Sequence, residues 1–281
     1  MKEARSHRSW RTPLLGVAIL AVPLAGVAVA ASQTPGIHPV SRSHAGATAL
    51  ASVIMDDKSQ LLGATFVTAP PNNHPNAISD QRITFDGGKS GAFPRQGHSY
   101  AVLTNGCSNL VTKEKGAGRP GCRDGGVRTR GARDVTILRI GVRAPQGSNC
   151  LSFRFRFFSQ EYPEFVGSQF NDAFIAELDH STWNADGTPI TAPRNFAKTR
   201  FGSITSVNKA GPAVIGAFNA RGTTYGGATR VLRASTRIKP GKHNLYLSIF
   251  DQGDRQYDSA VFVDHLAIVH KASCKPGLAK F

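Results

Sequence analysis

Two acidic segments stand out in an otherwise basic chain: SQEYPEFVGSQFND at residues 159–172 and DQGDRQYD at residues 251–258. Carboxylates gathered on loops suit a hard cation such as calcium, which takes six to eight oxygen ligands at about 2.3–2.6 Å. Asp251, Asp254, Asp258, Asn171, Asp172 and Glu161 are the candidate ligands, with backbone carbonyls and water completing the shell. The spacing is not that of the helix-flanked calcium loop, which alternates acids and has a glycine at its sixth position. The competing reading is turn structure, in which Asp and Asn side chains cap their own loop backbone. Glu161 and Glu164 also admit a glycosidase reading, because two carboxyls flanking a bond suffice for that chemistry.

Other catalytic signatures fail on inspection. Residues 87–90 (GGKS) end like a phosphate-binding loop, but Ile83 stands where its first glycine belongs. The chain holds no Gly-x-Ser-x-Gly elbow and no His-Glu-x-x-His zinc pair. It therefore reads as a binding protein rather than an enzyme, with a hydrolase using Glu161 and Glu164 as the alternative. Residues 106–133 are Gly-rich and carry Lys113, Lys115, Arg119, Arg123, Arg128, Arg130 and Arg133, offset only by Glu114 and Asp124. That loop is a candidate anion-binding finger for wall polymers, or simply a solvated insertion. It lacks the stacking aromatics of single-strand binders, so specific nucleic-acid recognition is not expected. Tyr162, Trp183, Tyr225 and Tyr257 lie near these loops as a candidate sugar-stacking platform, or as packing residues.

The elements that must position the loops are strands. Residues 150–158 alternate Leu151, Phe153, Phe155 and Phe157 with Ser152, Arg154 and Arg156, one apolar face and one polar. Residues 243–250 repeat the pattern with Leu245, Leu247 and Ile249. Residues 64–67, 82–85, 99–104, 135–142, 173–178 and 260–270 read as further strands between Gly and Pro turns. The spacing of Leu50, Val53, Ile54 and Leu61 predicts one helix over residues 47–62, stopped by Gly63. Together these give an all-β fold, an antiparallel β-sandwich of jelly-roll-like form with one N-terminal helix.

The ends and the cysteines bear on compartment. Lys2, Arg5, Arg8 and Arg11 precede an uncharged apolar run over residues 14–30 that closes on Ala28-Val29-Ala30. This is the form of a signal peptide, expected over residues 1–30. A flexible lead-in over 31–45, a domain over 46–272 and a tail over 273–281 complete the expected organisation, with no membrane span in the mature chain. Four cysteines in an exported chain imply two disulfides. Of three possible pairings, Cys107 with Cys122 closes a short loop, and Cys150 with Cys274 ties the strongest strand to the chain's end. The chain carries 34 Lys and Arg against 18 Asp and Glu, a balance suited to an acidic extracellular polymer or glycan surface.

The segments FRFRFFSQEYPEFVGSQFNDAFIAEL (153–178) and LYLSIFDQGDRQYDSAVFVDHL (245–266) resemble the choice-of-anchor L domain family of secreted bacterial proteins. Residues 50–62, YAVLTNGC (100–107) and DHSTW (179–183) support the resemblance, which extends over residues 47–269. It implies an exported, β-rich domain with no catalytic residues to carry over. The family's acidic motifs match Glu161, Glu164, Asn171, Asp172, Asp251, Asp254 and Asp258. Its name reflects varied C-terminal anchors, and none is expected here after Cys274.

Overall fold

The computed structural model describes residues 36–69, 76–84, 92–108, 111, 126, 128–208 and 216–279. The expected signal peptide, residues 87–90, Cys122 and the bases Lys113, Lys115, Arg119 and Arg123 lie outside them. The elements run β1 (Ile37–Pro39), α1 (His44–Ile54), β2 (Leu61–Thr68), β3 (Asn76–Ser79), β4 (Ile83–Thr84), β5 (Ala92–Phe93), β6 (Tyr100–Thr104), β7 (Ala132–Ala144) and β8 (Cys150–Ser159). They continue with β9 (Ala173–Leu178), β10 (Thr205–Ser206), β11 (Gly227–Ala228), β12 (Leu232–Arg237), β13 (Gly241–Gln252), β14 (Ser259–Val269) and β15 (Gly277–Leu278).

Two antiparallel sheets form the expected sandwich. One has the order β1-β3-β6-β14-β8-β12-β15, with β11 also paired to β8; the other has the order β10-β9-β13-β7-β2. Period-two patterning sets which face each strand buries. Leu151, Phe153, Phe155 and Phe157 on β8 meet Leu245, Leu247 and Ile249 on β13 in one core. Phe174 of β9 bridges the sheets, its ring 4.9 Å from that of Phe155. Fully burying a side chain of this size stabilises by roughly 1.5–3 kcal/mol, so the alternation holds the two sheets together.

The helix is shorter than its spacing predicts. It covers His44–Ile54 and buries Ala47, Leu50, Ala51 and Ile54 against the core. Met55 then turns extended, Asp57 caps a single 3-10 turn, and Leu61 leaves to pair with Val142 of β7. Leu61 still packs on the core, but from a strand. At the start, the Ser43 hydroxyl accepts a 3.1 Å hydrogen bond from the Gly46 N–H. Ser43→Ala is expected to cost about 1 kcal/mol, read as a lower urea midpoint; an unchanged midpoint would mean that water serves the Gly46 N–H as well.

Two segments expected to be loose are paired. Residues 37–39, placed in the lead-in, form β1 against β3, and residues 277–278, placed in the tail, form β15 against β12. The polar face expected of β8 is also covered. Arg156 is fully buried, its guanidinium donating to the Thr229 and Asn219 carbonyls and lying over Phe158. A second apolar cluster with Phe93, Tyr100, Tyr225 and Phe262 packs on that side of the sheet. A third, around Trp183 and Phe250, covers one end of the five-stranded sheet's outer face.

Cys150 and Cys274 are joined, as expected. Cys107 is also in a disulfide; Cys122, its expected partner, lies outside the described residues. Among the described residues no helix is long and apolar enough to cross a membrane.

Candidate functional site

Each of the two acidic loops joins a strand of one sheet to a strand of the other. The first runs from β8 in the larger sheet to β9 in the smaller one. The second runs from β13 back to β14. Because β8 pairs β14 and β9 pairs β13, both loops cross the same end of the sandwich. The Gln160 N–H donates to the Asp258 carbonyl at 3.0 Å and the Asn171 N–H to the Gln252 carbonyl at 3.2 Å, which ties them together.

Three carboxylates meet at this crossing. Glu161 lies two residues beyond β8, Asp172 immediately before β9, and Asp251 continues the core-facing series of Leu245, Leu247 and Ile249. One oxygen from each lies within 4.8 Å of the others, and all three residues are buried. The Asp172 N–H donates to Glu161 Oε2 at 3.2 Å, and Asn105 Nδ2 donates to Asp172 Oδ2 at 2.8 Å. Asp172 Oδ1 and Asp251 Oδ1 are buried with no hydrogen-bond partner among the described residues.

Burial dominates the electrostatics. It disfavours the charged forms and pushes Glu161 up to about 8 and Asp251 up to about 9. Asp254 adds like-charge repulsion to both, opposed at Glu161 by the Asp172 N–H. Asp172 is raised well above the usual carboxylate range by its complete burial, then by the charges of Glu161 and Asp251. A carboxylate trio this close and this dry has two low-energy states. It takes up protons, or it surrounds a cation. Oxygens around one calcium ion stand at most about 5 Å apart, and this trio meets that limit.

The other expected ligands sit nearby in different roles. Asn171 Oδ1 accepts the Asn208 N–H at 2.9 Å, and Asp254 Oδ1 accepts the Gln256 N–H at 2.9 Å, the loop-capping bonds of the competing reading. Asp254 is half-buried, at the outer side of the trio. Asp258 is buried beside Gly106, where a Cβ would fall 2.1 Å from its Oδ2. Glu164 is exposed on the loop while Glu161 is buried. Two residues of the site had not been singled out. Asn105, 1% exposed, holds Asp172 and accepts the Ser259 N–H at 2.6 Å. Asp134, at a β7 bulge with φ 47°, adds a further charge near Asp251. Asn105 falls within the stretch YAVLTNGC, so a signal was present; Asp134 left none.

The aromatic platform does not assemble. Trp183 is buried and stacked on Phe250 at 4.1 Å, Tyr225 is buried against Phe158, and Tyr162 packs on the main core. Tyr257 alone of the four is exposed, its ring 5.1 Å from Phe165. Of the basic loop's described residues, Arg128 lies over the Trp183 ring and bonds to Ser181, and Arg133 donates to the Arg130 and Ala132 carbonyls.

A search of curated protein sequences finds no match. Among solved structures, one described as TmCBM61 in complex with β-1,4-galactotriose is similar over 75% of this chain and 91% of its own, at 8% identity and a TM-score of 0.30. The K1 cleaved adhesin domain of Lys-gingipain from Porphyromonas gingivalis W83 is similar over 72% and 90%, at 11% identity and a TM-score of 0.28. A family model, the Choice-of-anchor L domain, matches residues 122–267. That stretch takes in both crossing loops and all three carboxylates of the trio, so the resemblance seen in the sequence becomes an identification: the chain belongs to the choice-of-anchor L domain family.

Proposed function

We propose that the chain is an exported, non-catalytic binding or adhesion module of the cell surface or extracellular matrix. One calcium ion, held by Glu161, Asp172 and Asp251, braces its loop end. The observation that carries the calcium reading is the buried trio itself, in which Asp172 Oδ1 and Asp251 Oδ1 have no hydrogen-bond partner among the described residues. Buried charge without a partner is costly, and a hard divalent cation is the partner that an all-oxygen set suits best. Extracellular placement draws on family membership and on the Cys150–Cys274 disulfide, a bond that persists in oxidising compartments.

Bound to the crossing, calcium ties β8 to β9 and β13 to β14 through their connections. It holds the exposed outer loops, including Tyr257 and Glu164, in one geometry for a partner. Calcium added to chelated protein at a hundredfold excess over its Kd is expected to stabilise the fold by about 2.7 kcal/mol. For a domain of this size that raises Tm by roughly 5–10 °C. Magnesium, which prefers a smaller octahedral shell, is expected to do much less. An unchanged Tm at millimolar calcium would remove the cation from the proposal.

A further inference from the structure

The outer face of the five-stranded sheet is covered at one end by the Trp183 cluster and open at the other. Along β7 the outward series runs Val135, Ile137, Arg139, Gly141. The first two are buried under that cluster, and Arg139 emerges from it exposed. Gly141 pairs with Gly63 of β2 on one side and Asn244 of β13 on the other. Two glycines in register leave bare backbone where side chains would stand. The result is a hollow of about 310 Å³ whose walls include His44, Arg139, Lys242 and Asn244.

The local backbone is built around this hollow. β2 carries a bulge between Leu61 and Gly63, and Gly63 has φ +121°, a conformation that L side chains rarely adopt. A Cβ there would lie 3.3 Å from the His44 ring, so the imidazole sits directly over the glycine. His44, Arg139 and Lys242 are exposed, and none has a hydrogen-bond or ion-pair partner among the described residues. No carboxylate lines the hollow. His243, also on its wall, differs: its Nδ1 faces the Asp179 carboxylate at 3.0 Å and its Nε2 the Lys239 carbonyl at 2.8 Å. That leaves Arg139, Lys242 and His44 as exposed donors with no protein acceptor among the described residues.

We propose that this hollow binds the anionic group of an acidic polysaccharide, a uronate carboxylate or a sulfate, with Arg139 and Lys242 on the charge and Asn244 and Thr65 on neighbouring hydroxyls. Its volume is at the small end of ligand sites, the scale of a sugar unit or two. No Phe, Tyr or Trp side chain lines it, so the broad stacking surface that single-stranded nucleic acid favours is missing. The site shares no residue with the carboxylate trio. It rests on the chain being a binding module, not on calcium.

The test is titration of the purified protein, with calcium and separately with chelator, against four probes: oligogalacturonate, heparin oligosaccharide, a neutral galacto-oligosaccharide and single-stranded DNA. Saturable binding to one or both acidic oligosaccharides and none to the neutral one is expected, and the stronger of the two identifies the anionic group. Arg139→Gln with Lys242→Gln should weaken it by about tenfold, the scale of two exposed ion pairs. Arg230→Gln, the same kind of charge removal just before β12 on the other sheet, should leave it within about twofold. Gly141→Val fills the floor, keeps every charge, and should abolish binding in a variant that still unfolds cooperatively. An Arg230→Gln loss equal to that of the pocket variants would reduce the effect to net charge and overturn the site. So would tighter binding of single-stranded DNA than of either acidic oligosaccharide. Binding unaffected by chelator would uphold the hollow even if calcium itself fails to bind.

Discussion

Stripped of divalent cations, the protein is expected to lose stability as pH rises from about 5 to 8, and calcium is expected to flatten that slope. Glu161 and Asp251 hold protons in the folded state up to about 8 and 9, whereas the same groups in an unfolded chain release them near 4. Between those limits the folded chain binds more protons than the unfolded one, so unfolding becomes easier with every step upward in pH. The stabilisation is complete below the unfolded values and is gone once pH passes the folded ones. Each proton contributes roughly 1.4 kcal/mol per pH unit. In the calcium-bound form the carboxylates are charged and satisfied at neutral pH, so that part of the slope disappears. Asp172→Asn separates the contributions. It removes one buried charge while keeping the Asn105 neighbourhood filled, so it should raise the metal-free Tm at pH 8 and erase most of the calcium response. Thermal unfolding at pH 5, 6.5 and 8, with calcium and with chelator, reads both effects. A metal-free Tm that stays level or climbs across that range would mean that the trio is already compensated, and the calcium reading would go with it.

The same physics explains what could be read from the sequence. The strands β8 and β13 announce themselves because one face of each is apolar at period two, a pattern that implies sandwich strands with one core face each; that Phe155 and Leu247 share a core follows from the sheet topology. The acidic loops were legible as clusters, and the strand pairing then decided which carboxylates converge. Asp251 enters the trio because it extends the inward series of β13, whereas Asp254 lies in the turn beyond the strand's end. No composition rule separates those two aspartates. Arg156 was misplaced on an open face because what buries it, around Asn219 and Thr229, comes from more than sixty residues later in the chain. The helix end was misplaced for a related reason. Leu61 fits the helical spacing, but pairing with Val142 satisfies its backbone while its side chain keeps the same core. The basic hollow was invisible for a third reason: it depends on Gly63 and Gly141 falling opposite each other, which only the register of β2 on β7 decides.

Replacing Cys150 and Cys274 together by Ala is expected to be the most damaging change outside the apolar core. The bond spans 124 residues, and closing a loop of that length removes about 5 kcal/mol of unfolded-chain entropy in the simplest model, with measured losses typically about 2–4 kcal/mol. The native state also depends on it locally. β15 is an edge strand held to β12 by the pairs Ala234–Leu278 and Ser235–Gly277. The Leu278 N–H donates to the Lys198 carbonyl at 2.8 Å, and Ser235 Oγ donates to the Lys275 carbonyl at 2.7 Å. A two-residue strand at an edge has too little pairing to stay docked by itself, so the covalent link to the first residue of β8 keeps it in register. Two readouts follow from these two roles. Urea unfolding should show a lower midpoint in the double variant, and amide exchange at Leu278 should speed up well before the β8 amides do. The double variant leaves Cys107 untouched, which reduction of the whole protein would not. A midpoint shift equivalent to less than about 1 kcal/mol, with Leu278 still protected, would mean that the edge strand holds through its hydrogen bonds and that the disulfide adds little to the folded end of the chain.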